Sequence, residues 1–161
     1  MSVQFRFEPV NKGVLPVRGT KYSAGFDCFA NEDVIIPDGG IKTVSLGFRI
    51  SDFGYWVAGS DSYKINFISM LHLLGDGNLP YLELHLRSSL RKNGLFTGGV
   101  GIIDADYRGE VKLIVSSVSG YKVLKGQKIA QIIARETNTL MLAELETVKE
   151  VRNGGFGSTG S

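Results

Sequence analysis

Leu82-Glu83-Leu84-His85-Leu86-Arg87-Ser88-Ser89-Leu90 is the stretch on which the fold turns. Leu82, Leu84 and Leu86 alternate with Glu83, His85 and Arg87, and a period of two describes a strand with one face in a core. The alternation ends at Ser88, and Ser89 to Gly94 is the one helical candidate, at most a turn or two long. The same period recurs on both sides. Val3, Phe5 and Phe7 alternate with Gln4, Arg6 and Glu8. Val34-Ile35-Ile36 and Thr43-Val44-Ser45-Leu46 read as strands flanking the turn Pro37-Asp38-Gly39-Gly40. Val111 to Val115 and Lys128 to Ala134 are further β-rich runs, and the 21 glycines fall largely between such runs. Many short strands with glycine-rich turns predict an all-β fold: a sandwich, barrel or jelly roll.

A chain of 161 residues suits one compact domain. The net charge of +2, without a long run of one sign, gives no electrostatic basis for nucleic-acid or membrane-surface binding. A small anion, which needs only a few well-placed cations, is compatible with it. The single cysteine, Cys28, excludes an intramolecular disulfide framework and suits a reducing compartment. Met1 to Val10 lacks the apolar core of a signal peptide, and no run approaches a membrane span. The expectation is a soluble intracellular protein, cytoplasmic or, in a eukaryotic or viral setting, nuclear. Residues 54–80 exceed the usual connection between elements. Tyr63, Ile65 and Phe67 alternate there, which suggests an added hairpin or ordered excursion. Asn153 to Ser161 is rich in Gly, Ser and Thr, the composition of a tail.

Five segments could carry chemistry, and each also has a structural reading. In Ala24-Gly25-Phe26-Asp27-Cys28-Phe29-Ala30, Asp27 either closes a turn after Gly25 or aims a carboxylate at a metal or its waters. Arg87-Ser88-Ser89-Leu90 offers a guanidinium and two hydroxyls suited to phosphate, or an ordinary serine cap. Gly101-Ile102-Ile103-Asp104-Ala105-Asp106-Tyr107-Arg108-Gly109-Glu110 is the densest cluster. A turn around Asp106 and Tyr107 explains much of it. Asp104 follows an apolar strand, however, and a partly buried carboxylate there suits a general base. In Gly126-Gln127-Lys128-Ile129-Ala130-Gln131 the closing amide is structural or a ligand contact. Arg152-Asn153-Gly154-Gly155-Phe156-Gly157-Ser158-Thr159 has the glycines and hydroxyls of a phosphate cradle without the ending of a P-loop. Phe156 would dock on something flat. His72 and His85 lack metal-ligand spacing and read as structural.

Taken together and in this order, the five segments resemble the motifs of the trimeric dUTPase family from Ala24 to Gly160. That resemblance implies a jelly-roll-like β-barrel or sandwich protomer spanning residues 1–150, with the 54–80 excursion added. Residues 151–161 would be a mobile arm that completes a neighbouring active site in a homotrimer. The implied activity is hydrolysis of dUTP to dUMP and pyrophosphate, which keeps uracil out of DNA and supplies dUMP for thymidylate synthesis. Asp104 would activate the attacking water and meet the deoxyribose. Tyr107 would lie under the sugar and exclude a 2′-hydroxyl. The backbone from Gly101, Ile102 and Ile103 through Lys112 would read uracil. Arg87, Ser88, Ser89 and Gln131 would hold phosphate oxygens. Phe156 would stack on uracil while Arg152, Gly157, Ser158 and Thr159 close on the phosphates. Magnesium, held mainly by the triphosphate, would be the cofactor, with Asp27 touching it through water.

Three departures from that pattern stand out. Ser89 replaces a common glycine, Arg91 and Lys92 make the following stretch more basic, and Arg152 sits one residue closer to Phe156 than the family arrangement. The excursion could serve a protein partner, so a dUTPase-like protein with an added recognition role is one alternative. A dCTP deaminase, a relative with a similar Arg-Ser-Ser-Leu segment, is another. Its catalytic glutamate would fall at position 114, where this chain has Ile114, which cannot move a proton.

Overall fold

The computed structural model describes residues 2–56 and 78–138. Among them, strands dominate: β1 (Ser2–Pro9), β2 (Val17–Arg18), β3 (Phe26–Phe29), β4 (Val34–Ile36), β5 (Ile41–Trp56), β6 (Asn78–Leu86), β7 (Leu95–Phe96), β8 (Gly101–Asp104), β9 (Glu110–Ser117), β10 (Tyr121–Val123) and β11 (Lys128–Asn138). One short helix, α1 (Ser88–Arg91), follows β6. The sheets run β1-β5-β9-β7 and β2-β3-β11-β6-β8, with a two-stranded ribbon β10-β4. All pairings are antiparallel. This is the all-β, jelly-roll-like architecture that the alternation predicts. No helix among the described residues is long and apolar enough to cross a membrane.

The period-two pattern explains which faces meet. Val111, Leu113 and Val115 point inward from β9 while Lys112 and Ile114 point out. Leu82, Leu84 and Leu86 do the same from β6. With Val44, Leu46, Phe48 and Ile50 of β5 and Cys28, Ala30 and Ile132 they form one apolar cluster between the two large sheets. Each Val, Leu, Ile or Phe side chain among them contributes about 1.5–3 kcal/mol by leaving water. Phe7 meets Phe48 edge to face at 5.4 Å and ties β1 to this core.

The turn at Pro37–Gly40 is present, closed by the Gly40 N–H donating to the Pro37 carbonyl at 2.9 Å, with Gly39 at φ +64°. It does not join a hairpin. β4 pairs with β10, whereas β5 pairs with β1 and β9, so the turn moves the chain from one sheet to another. The expected helix is shorter than its sequence span, because Gly94 at φ +79° takes the chain out of the helical region. The excursion is bounded by long strands: Trp56 pairs with Ser2, and Asn78 with Asn138. The rest of the excursion, His72 within it, and the arm at 151–161 lie outside the described residues.

Candidate active site

Two polar groupings emerge. The first is built where β3, β11 and the end of β6 meet. Gln131 stands opposite Asp27 on one side and His85 on the other. Asp27 is therefore inside a strand, not in a turn after Gly25. Its side chain is only 7% exposed. It accepts hydrogen bonds from Lys128 Nζ at 3.0 Å and Gln131 Nε2 at 3.1 Å, and Arg87 Nε lies 3.6 Å away. Burial alone pushes this carboxyl up. The Gln131 and Lys128 hydrogen bonds and the charges of Arg87 and Lys128 outweigh that and hold it below the usual carboxylate value.

Residues three apart in a regular strand point to opposite faces. Lys128 and Gln131 nevertheless both reach Asp27, because the β11–β3 register shifts between Lys128 and Ala130. The bulge turns Lys128 toward the carboxylate while Ile129 and Ala130 both stay buried. Ser88 and Ser89 are exposed beside Arg87. Lys128 joins this grouping although the sequence did not single it out. The signal for it was weak: a lysine just before an apolar run, with no hint of the bulge that aims it.

The second grouping surrounds a cleft of about 300 Å³ formed by β8, β9 and β5. Gly101, Ile102, Ile103, Asp104, Tyr107 and Lys112 line it, together with Thr43, Glu110 and Ile114. The volume is at the low end for small-molecule sites. The turn between β8 and β9 is closed by the Tyr107 N–H donating to the Asp104 carbonyl at 3.0 Å, so its central residues are Ala105 and Asp106. It begins one residue earlier than the sequence suggests. Arg108 braces it, donating from Nη1 to the Ala105 carbonyl at 2.7 Å. Glu110 accepts from Ser45 Oγ and lies 3.7 Å from Lys112 Nζ, which fixes the floor of the hairpin. Asp104 is exposed, where the sequence reading expects partial burial. The reason is topological: β8 is the outer strand of its sheet, with a neighbour on one side only.

The sequence-predicted residues thus fall into two sets. Arg87, Gln131, Asp27, Ser88 and Ser89 are together, and Gly101 to Lys112 are together. Register separates the sets: Tyr81 stands opposite Asp104, and Arg87 lies six residues further along the β6 strand direction. At about 3.3 Å per residue this is about 20 Å. Arg152, Phe156, Gly157, Ser158 and Thr159 lie outside the described residues. Among those described, no three His, Cys, Asp or Glu side chains converge as a metal cage.

Comparison with known proteins identifies the chain's relatives. The dUTPase family model matches residues 84–160. A Yarrowia lipolytica protein named deoxyuridine 5'-triphosphate nucleotidohydrolase is 34% identical over 153 residues, covering 90% of this chain and 81% of its own. Among solved structures, a Staphylococcus bacteriophage 80alpha dUTPase with dUpNHpp is similar with a TM-score of 0.65 at 19% identity, covering 98% of this chain and 99% of that one. A dUTPase from phage phi11 of S. aureus, described with a structural Mg(II) ion, has a TM-score of 0.63 at 17% identity, over 91% and 97% of the two chains. With its all-β fold and the two polar groupings that its motifs build, the chain belongs to the dUTPase family.

Proposed function

We propose that this chain hydrolyses dUTP to dUMP and pyrophosphate by attack of water on the α-phosphorus. The observation that carries this reading is the cleft at the β8–β9 hairpin, where the Asp104 carboxylate and the Tyr107 ring flank a run of strand backbone. Its size suits a nucleoside. Gly101 to Ile103 and Lys112 would offer peptide N–H and C=O groups to the uracil edge. Tyr107 would lie under the deoxyribose and leave no space for a 2′-hydroxyl. Asp104 would take the proton of the attacking water.

Arg87, Ser88, Ser89 and Gln131 would hold phosphate oxygens, with the bulk of catalysis coming from positioning and charge neutralisation. A divalent metal, magnesium in this proposal, neutralises the phosphate charge when bound. The donor set fits a metal carried by the triphosphate. The phosphate grouping supplies one carboxylate, Asp27, and no protein cage is formed among the described residues.

The separation of about 20 Å between Asp104 and Arg87 along the β6 direction supports a site shared between copies. An attacking water must stand about 3–3.5 Å from phosphorus, so one chain's Asp104 cannot serve a phosphate gripped by that chain's own Arg87. A homotrimer, in which one protomer brings the cleft and another the phosphate grouping, resolves this. Residues 1–150 form the β domain in this reading. Residues 151–161 are the arm that brings Arg152, Phe156, Gly157, Ser158 and Thr159 to a neighbouring site.

The test is pyrophosphate release from dUTP, UTP, dTTP and dCTP, with and without magnesium. Strong preference for dUTP is expected, with no uracil nucleotide formed from dCTP. Comparable turnover of UTP overturns the assignment of Tyr107.

A further inference from the structure

The phosphate grouping contains one charge whose sign opposes the gripping of phosphate. Asp27 is an anion placed among the residues that would bind an anion. Its two carboxylate oxygens are engaged on opposite sides: Oδ2 accepts from Lys128 Nζ, and Oδ1 accepts from Gln131 Nε2 with Arg87 Nε nearby. The cations are the more accessible partners, with side chains 32% exposed for Arg87 and 46% for Lys128 against 7% for Asp27. Lys128 is further held by the face of Phe29, 5.9 Å from the ring centroid. An incoming anion therefore meets positive charge whose partner is fixed underneath it. With two cations and one carboxylate, the grouping carries a net charge of about +1, too little to balance the several negative charges of a bare polyphosphate.

The geometry points to Asp27 as the built-in counter-ion of the phosphate site. It holds Arg87, Lys128 and Gln131 in place before substrate arrives, and its charge keeps the site from binding polyphosphate that carries no magnesium. Lys128 is the second cation of that site. This inference rests on the reading that phosphate oxygens sit on Arg87 and Gln131. Asp27 acts here as a positioning residue, through the cations it faces. Two outcomes follow for the reaction: free nucleotide is disfavoured relative to its metal complex, and pyrophosphate that loses its metal is not retained.

The experiment is calorimetric titration of the full-length protein with inorganic pyrophosphate, once in EDTA and once in excess magnesium. Asp27→Asn removes the charge and keeps the shape. It is expected to bind metal-free pyrophosphate on the order of tenfold more tightly than the unsubstituted protein. Lys128→Gln, one positive charge poorer, is expected to bind it more weakly than the unsubstituted protein, and to lose more affinity in EDTA than in magnesium. An unchanged or weaker metal-free affinity in Asp27→Asn overturns the proposal, since a scaffold or a metal contact predicts no gain. Thermal melting checks that the variant folds. If Asp27→Asn does not fold, Lys128→Gln decides: an equal loss in both conditions overturns the counter-ion role. If no form of the protein binds pyrophosphate in either condition, phosphate does not sit on this grouping. The proposal then falls with the assignment of Arg87 and Gln131, while the dUTP assay reports separately on the activity.

Discussion

Gly109 lies against the ring of Tyr107: a Cβ added to the glycine would fall 2.3 Å from Tyr107 Oη and 2.5 Å from Cζ. The tyrosine folds forward over the residues that follow the turn and donates from Oη to the Glu110 carbonyl at 3.2 Å. The ring is half exposed, so its position comes from this contact and the turn and not from core packing. Gly109→Ala must therefore displace it. The expected result is a rise in UTP turnover relative to dUTP, in the same direction as Tyr107→Ala, with little change in melting temperature. Steady-state kinetics on the two nucleotides measure it. An unaltered UTP:dUTP ratio in both variants removes Tyr107 from sugar discrimination.

Asp104→Asn preserves shape and removes the base. A positioned base contributes roughly 100- to 10,000-fold. The variant is expected to bind a dUTP analogue with near-normal affinity and to lose turnover on that scale. Near-normal turnover would end the assignment. Mixing inactive Asp104→Asn with inactive Arg87→Ala should restore part of the activity, because a shared assembly then contains sites with both native groups. No recovery after unfolding and co-refolding the mixture argues for sites built within one chain.

Glu83 organises the outer face of β6. His85 Nε2 lies 2.9 Å from it, Arg135 Nε 3.2 Å, and Tyr81 Oη donates to it at 3.3 Å. The His85 contact, followed by those of Arg135 and Tyr81, holds the carboxyl below its ordinary value of 4.5 against the opposing effect of desolvation. A carboxyl whose folded value is depressed stabilises the fold above its unfolded value and loses that contribution as pH falls through the folded one. Glu83→Gln should therefore lower the denaturation midpoint at pH 7, and the difference from the unsubstituted protein should shrink below about pH 4.5. Urea titrations at several pH values test this. A difference that grows on acidification contradicts it.

Cys28 is fully buried, and burial pushes its thiol up to about 12. The thiolate is the reactive form. The native protein at pH 8 should be inert to a thiol-titrating disulfide reagent over the time of an assay, and denaturant should release its single thiol. Rapid native modification would mean that β3 opens locally, because only exposure brings the thiol near its ordinary value.

The local period of two set the strands, and five short segments in order set the family. Both are properties of neighbouring residues, so they were legible without coordinates. Lys128 and the exposure of Asp104 were not. Lys128 meets Asp27 across 101 positions of chain and only through a bulge, and a bulge leaves no periodic trace. Asp104 follows an apolar run that looks like a buried strand, yet its strand has a neighbour on one side only. Sequence by itself determined that this is an all-β dUTPase-family chain with a carboxylate, a tyrosine and an arginine at its motif positions. Tertiary structure alone decided that the arginine and the carboxylate stand six residues apart along the β6 direction, and that Asp27 faces the cations. Antiparallel pairing fixes both distances, and pairing partners lie far apart in the chain.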